Sequence, residues 1–161
     1  MRVLKIISIL CVMFFIFSGI AVAQQMPIPY GPNINLATAK KVAAAAAQEA
    51  IKMKINVVIA IVDTGGHLLY LERFDVVQYG SVDAAVHKAK FSVAFKRPTK
   101  AFETLIGSGK TAYLTLDGIS AIEGGIPIMQ NGKIIGAIGV SGGSAQQDGM
   151  VATAGADVMQ Q

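Results

Sequence analysis

Two histidines are the side chains in this sequence best suited to bind a metal ion or a metal-bearing cofactor. His67 follows a pair of glycines, and His87 lies in a stretch with helical spacing, one turn after Asp83. A carboxylate four residues before an imidazole can fix its tautomer and strengthen it as a ligand. One imidazole cannot complete a zinc site, but one axial imidazole is enough to hold haem iron. The alternative for each histidine is a surface position without a ligand.

A glycine-rich segment at residues 139–143 could bind an anion or carry a nucleophile. It matches G-x-S-x-G and lies between a predicted strand and a predicted helix. The triad histidine of such hydrolases follows the serine, and no histidine follows Ser141, so serine hydrolysis is disfavoured. Backbone N–H groups of Ser141, Gly142 and Gly143 at a helix N-terminus would favour a carboxylate or phosphate. The alternative is a tight turn that requires glycine.

Two cations lie close to the histidines in sequence. Arg73 follows His67 at the end of a predicted strand, and Lys88 is the residue after His87. Either cation could pair with carboxylates of a ligand, or lie on the solvated edge of a strand or helix.

The composition excludes several classes of protein. The chain has 161 residues, of which 53% are hydrophobic and 15% charged, with a net charge of +4 and one cysteine. This length suits one domain, and the charged fraction is too low for a disordered chain. The small net charge disfavours nucleic-acid binding. The absence of CxxC and HExxH patterns disfavours a zinc enzyme.

Residues 1–23 have the pattern of a secretory signal peptide. Arg2 and Lys5 precede a continuous apolar run of twelve residues at 6–17, and Ala21 and Ala23 form an Ala-x-Ala cleavage pattern. The run is shorter than the ~20 residues that span a bilayer. We therefore predict cleavage after Ala23, no membrane attachment thereafter, and a periplasmic or secreted protein. The single cysteine would leave with the signal.

The elements that must position the candidate residues form one predicted domain over residues 35–161, after a flexible or extended leader at 24–34. The predicted order is a helix capped by Asn35, a hairpin of strands 57–62 and 68–74, a helix from a Ser81 cap to about Phe95, a short helix at 100–106, a hairpin of strands 126–130 and 133–141, and a helix at 144–159. Two hairpins connected through helices indicate an α+β fold, with one mainly antiparallel sheet and helices packed on it.

Several of these segments together resemble the GlcG/HbpS-like haem-degrading family. They are VDTGGHL at 62–68 with RFD at 73–75, the stretch 85–99 with its ending FKRPT, GGIPI at 124–128, IGAIGVSG at 135–142 and QD at 147–148. The similarity runs in the same order from about residue 35 to the C-terminus.

The resemblance implies a profilin-like domain that forms dimers or larger homo-oligomers, with haem binding or haem-linked sensing. Many family members have threonine where this chain has Phe91, which weakens a polar ligand contact there, although phenylalanine could stack on a porphyrin. Axial ligands vary within the family, so the resemblance does not choose between His67 and His87.

We therefore predict an exported haem-binding protein, acting in haem scavenging, sensing or degradation, with a pocket between sheet and helix. In it His87 or His67 would ligate iron, while Arg73, Lys88 and the amides of residues 141–143 would meet the propionates. No dedicated acid–base pair is evident, so enzymatic activity is left open. The alternatives are a non-enzymatic binding or sensor module for a small carboxylate, and an oligomeric accessory protein without haem.

Overall fold

A computed structural model describes residues 27–159, and the predicted signal peptide lies outside them. Within this part of the chain, four α-helices surround one four-stranded sheet. In chain order the elements are α1 (Leu36–Lys52), β1 (Val58–Val62), β2 (Leu68–Arg73), α2 (Gly80–Phe95), α3 (Lys100–Gly107), a 3-10 helix (Thr111–Thr115), β3 (Gly125–Gln130), β4 (Lys133–Ser141) and α4 (Ala145–Asp157). No helix among the described residues is long and apolar enough to cross a membrane.

The sheet joins two hairpins through its centre. Its strand order is β2-β1-β4-β3, and every neighbouring pair is antiparallel. The central pair sets Val58 opposite Ser141 and Val62 opposite Ala137. The predicted α+β fold, with two hairpins in one antiparallel sheet, is confirmed.

Strand β1 is buried on both faces, which explains its uninterrupted apolar sequence. On one face, Ile59 and Ile61 pack into a core formed with α1 and α4. On the other face, Ala60 and Val62 pack against residues of α2. The domain therefore has three layers, with the sheet between the α1–α4 pair and α2.

Small residues bring the helices unusually close to their neighbours. A methyl group at Gly139 of β4 would lie 2.0 Å from the carbonyl oxygen of Ala85 and 2.6 Å from the backbone nitrogen of Ala89. One at Gly155 of α4 would lie 2.9 Å from the carbonyl oxygen of Val42 in α1. Helix α2 therefore lies directly on β4, and α4 lies directly on α1.

Two helices begin at side-chain caps, and the cap at Asn35 is a predicted one. The Asn35 side chain accepts a hydrogen bond of 2.9 Å from the Thr38 backbone N–H at the start of α1. At the start of α4, Ser144 and Gln147 form a reciprocal capping box. These caps satisfy N–H groups that have no partner inside the helix.

The predicted Ser81 cap of α2 is wrong. The helix begins at Gly80, with Tyr79 at the cap position and no side-chain hydrogen bond there. Ser81 is buried in the first turn, where its hydroxyl accepts a hydrogen bond of 3.3 Å from the hydroxyl of Ser141. The serine joins α2 to β4 because its side chain faces the sheet rather than the helix end.

The described part of the leader, residues 27–34, lies extended beside β4. The Gly31 N–H donates to the carbonyl of Ile134 over 2.8 Å, and the Ile134 N–H donates to the carbonyl of Pro29 over 3.0 Å. Strand β1 ends opposite Ala137, so the leader takes the next position along that edge of β4. It thereby pairs backbone groups that β1 leaves unpaired.

Candidate functional site

The predicted site residues on the strands and their turns lie at two opposite ends of the sheet. His67 precedes β2 in the turn after β1, whereas Arg73 ends β2 and Ser141 ends β4. Val58 is paired with both Arg73 and Ser141, so these two lie at one end. At ~3.4 Å per residue, the six residues of β2 separate the ends by roughly 17 Å. The fold does not gather the predicted residues around one point.

The turn between β1 and β2 is organised by the carboxylate of Asp63. Its Oδ1 accepts hydrogen bonds of 2.9 Å from the backbone N–H groups of Gly65 and His67. Its Oδ2 lies 3.3 Å from Nδ1 of the His67 ring. Slight burial raises the pKa of Asp63, but hydrogen bonds from the His67 backbone and ring and from Gly65 outweigh it and hold the pKa below its ordinary value of 3.8.

The Asp63 contact leaves the other ring nitrogen of His67 available. A carboxylate can only accept, so a neutral imidazole donates through Nδ1 and keeps its lone pair on Nε2. The His67 side chain is 83% exposed. This combination of an oriented ring and an open nitrogen is the arrangement found in metal-ligating histidines.

His67 opens onto a cleft of about 380 Å³ between this turn and α2. The lining residues are Thr64, Gly65, Gly66, His67, Lys90, Val93 and Ala94. The volume lies within the range of ligand sites, about 300–1,000 Å³. Sequence reasoning missed Lys90, Val93 and Ala94, although their spacing of three and four residues places them on one face of α2.

His87 is exposed on α2 and does not line that cleft. Its role as an iron ligand stays a prediction. Arg73 is exposed at the far end of β2, where its guanidinium lies 5.6 Å from the centre of the Tyr79 ring. Its predicted contact with a ligand carboxylate also stays a prediction, at the end of the sheet remote from His67.

Lys88 is buried in an ion pair with Asp148. Its Nζ lies 2.8 Å from Oδ2 of Asp148 and 2.9 Å from the carbonyl oxygen of Val140, and both charged side chains are 4% exposed. The Gly143 N–H donates to Oδ1 of Asp148 over 2.9 Å. Burial raises the pKa of Asp148, while Lys88 and the amides of Gly143 and Gly142 oppose that rise.

The glycine-rich turn therefore binds a carboxylate that belongs to the chain itself. The Gly143 amide is bonded to Asp148, the Ser141 hydroxyl donates to Ser81, and the Ser144 N–H donates to the Gln147 side chain over 2.9 Å. A ligand at Lys88, Ser141, Gly142 or Gly143 would have to displace these contacts. Their predicted contacts with propionates stay predictions.

Phe91 is buried in an aromatic cluster beneath α3. Its ring centre lies 4.4 Å from that of Phe95 and 4.7 Å from that of Phe102, which in turn contacts Tyr113 at 5.7 Å. A stacking contact between Phe91 and a porphyrin stays a prediction and would require this cluster to open.

The described residues fit a cofactor that brings most of its own metal ligands. Between residues 27 and 159, no group of three or more histidine, cysteine or acidic side chains could hold a bare metal ion. Haem supplies its iron with four porphyrin nitrogens and needs only an axial side chain from the protein. His67, which lines the cleft together with the exposed Ala94 and the cation of Lys90, meets that requirement through Nε2.

Comparison with known sequences places most of the chain within one family. The family described as haem degrading protein HbpS-like matches residues 34–157. The GlcG protein of Escherichia coli K12 is 40% identical over 103 residues, covering 64% of this chain and 77% of GlcG.

Solved structures share the fold. The crystal structure of HbpS has a TM-score of 0.73 and 31% identity, covering 80% of this chain and 92% of HbpS. The PduOC:haem complex has a TM-score of 0.69 and 26% identity, covering 76% and 92% of the two chains. The sequence match over the whole domain and the shared α+β architecture agree. The chain therefore belongs to the HbpS-like family.

Proposed function

We propose that this protein is an exported haem-binding protein in which His67 is the axial ligand of the iron. The observation that carries the proposal is the His67 ring, which is oriented by Asp63 and presents a free Nε2 beside a cleft. The proposal is supported by PduOC, a structural neighbour that has been crystallised with haem.

The cleft has the chemistry that haem requires. The exposed Ala94 on α2 supplies apolar contact for the porphyrin, and the exposed Lys90 supplies a cation for a propionate. His67, in the turn between β1 and β2, would supply the iron ligand from the other side of the cleft. This arrangement uses neither Arg73 nor the glycine-rich turn at residues 141–143.

The same geometry favours haem over a small carboxylate as the ligand. A carboxylate module would need free amides in the glycine-rich turn, whereas the Gly143 amide is bonded to the buried carboxylate of Asp148. The cleft beside His67 carries a metal-binding nitrogen and one cation, which suits a metal-containing anion better than a simple acid.

Export is part of the proposal and is supported by the basic, apolar and Ala-x-Ala pattern of residues 1–23. An exported haem-binding protein would scavenge, sense or degrade haem. Assembly into a homo-oligomer completes the proposal, and mass measurement in solution with and without haem tests it.

A haem titration of the protein starting at Gln24, followed by Soret absorbance, tests the function. We expect a saturable shift in the wild type and a loss of affinity of about 10-fold or more in His67→Ala. His87→Ala is the matched control, because it removes an exposed imidazole from α2 that does not line the cleft, and it should bind like the wild type. No shift in the wild type would overturn haem binding. Loss in His87→Ala with an unchanged His67→Ala would overturn the ligand assignment.

A further inference from the structure

We infer that Asp63 and Gly65 are positioning residues that hold the His67 ring and, through Nδ1–H, set the electron-donating strength of Nε2. The inference rests on the proposed haem binding and extends it to the reduction potential of the bound iron. Asp63 would act through His67 and would not touch the cofactor.

The Asp63 carboxylate is fixed before it meets the imidazole. Its Oδ1 is held by the backbone N–H groups of Gly65 and His67, both at 2.9 Å, so the side chain has little freedom to turn away. Both carboxylate oxygens then lie 3.3 Å from Nδ1 of the ring. The turn thus supplies a preorganised acceptor for one ring nitrogen.

Gly65 provides the space in which the ring lies. A methyl group at this position would come within 2.9 Å of both Nδ1 and Cε1 of His67. The backbone of Gly65 is not among those with positive φ, so alanine is compatible with the turn itself. A side chain at residue 65 would therefore displace the imidazole without straining the main chain.

The turn is also anchored from outside. The side-chain oxygen of Asn33, in the leader, accepts hydrogen bonds from the backbone N–H and the hydroxyl of Thr64. On the cleft side, Lys90 of α2 is the cation that lines the same space. The imidazole is consequently held on a turn that is hydrogen-bonded to the leader on one side and faces Lys90 across the cleft on the other.

An Nδ1–H bond to a carboxylate gives the imidazole partial imidazolate character and makes Nε2 a stronger donor. A stronger axial donor stabilises ferric iron relative to ferrous iron and lowers the reduction potential, because hydrogen bonding to an axial ligand is one of the ways a protein tunes haem. Asp63 should therefore bias bound haem toward the ferric state.

Spectroelectrochemistry of the haem-loaded protein tests this role. In Asp63→Asn the amide oxygen is a weaker acceptor, so we expect a more positive reduction potential and an affinity for haem lowered about 10-fold. Gly65→Ala should lower the affinity with little change in stability. Asp83→Asn, which removes the carboxylate one turn before His87, is the matched control and should keep the wild-type potential.

Nitrogen NMR of the His67 ring in the haem-free protein gives a second readout. We expect the wild type to hold the proton on Nδ1 and Asp63→Asn to show a mixture of tautomers. Unchanged tautomers in Asp63→Asn, or a wild-type reduction potential in its haem complex, would overturn the inference while haem binding stands. No haem binding by the wild type would overturn the proposed function, and the tautomers would then decide whether Asp63 positions the ring.

Discussion

Two carboxylates at opposite ends of the sheet have closely similar surroundings. Asp63 accepts the Gly65 amide and faces the imidazole of His67. Asp148 accepts the Gly143 amide and faces the ammonium of Lys88. The difference is burial: Lys88 and Asp148 are each 4% exposed, whereas the His67 side chain is 83% exposed.

The comparison separates a structural pair from a candidate ligand. The buried Lys88 ammonium donates hydrogen bonds to Asp148 and to the Val140 carbonyl. It is not available to a ligand, because a buried charge must remain paired. The exposed His67 imidazole contacts Asp63 through Nδ1, which leaves Nε2 available to a ligand. The same set of hydrogen bonds therefore fixes the fold at one end and leaves a binding atom at the other.

The largest expected effect contrasts the two carboxylates directly. Asp148→Ala leaves the Lys88 ammonium buried without its partner and should lower the free energy of unfolding by about 3–5 kcal/mol. Asp63→Ala, in an exposed turn, should cost no more than about 1 kcal/mol. Urea unfolding of both variants measures the difference. Equal losses would contradict the distinction, and Asp148→Asn provides a milder variant.

A second contrast uses the glycine beside each carboxylate. A methyl group at Gly124 would lie 2.7 Å from the Val140 carbonyl and 2.9 Å from Lys88 Nζ, at a φ of +127°. Gly124→Ala should therefore cost about 1–3 kcal/mol or more. In Gly65→Ala the closest contact is an exposed ring that can rotate away, with Oδ1 of Asp63 next at 3.3 Å, and the loss of stability should stay at ~0.5 kcal/mol. Thermal unfolding measures both variants. Similar melting temperatures would contradict the expected difference between the two glycines.

The smallest expected effect is on the pH dependence of stability: the contributions of the two carboxyl groups to the free energy of unfolding should change in opposite directions with pH. Burial raises the pKa of Asp148 despite Lys88, so the folded state holds this proton more firmly than the unfolded chain. The stability from that proton is lost as pH rises from 3.8 through the raised pKa.

Asp63 should behave in the opposite way. Burial raises its pKa slightly, but the hydrogen bonds from His67 and Gly65 lower it further, so its contribution is present above pH 3.8 and is lost as pH falls through the lowered pKa. Unfolding of the wild type, Asp63→Asn and Asp148→Asn between about pH 3 and 7 compares the slopes. If Asp63→Asn and Asp148→Asn changed the pH dependence of the free energy of unfolding in the same direction, the opposite pKa shifts of the two groups would be contradicted.

Local sequence patterns predicted the elements of the fold because the signals are local. The continuous apolar run of β1 is typical of a buried strand and Asn131-Gly132 is typical of a hairpin turn, and the strands predicted around them are present. The Ser81 cap was predicted wrongly because a serine before a helical stretch usually caps the helix. Here the tertiary structure buries the Ser81 side chain instead.

The sites were harder to predict because they depend on contacts across the fold. The sequence around Lys88 is typical of a lysine on a helix surface. Its contact with Asp148 depends on the packing of α2 and α4 around the end of β4. The helical spacing of Lys90, Val93 and Ala94 indicated a common face. It did not indicate that this face meets the His67 turn.

The strand order has a consequence for the sequence of events in folding. The Asp63 and His67 turn closes within a local hairpin, and hairpins form in about 1–10 μs. The central pairing of Val58 with Ser141 must wait until β4 returns from far along the chain, which is a slow, high-contact-order step. Lys88 and Asp148 are 60 residues apart, so their ion pair also requires a long-range contact. We therefore expect the turn that holds the candidate iron ligand to form earlier than the buried ion pair.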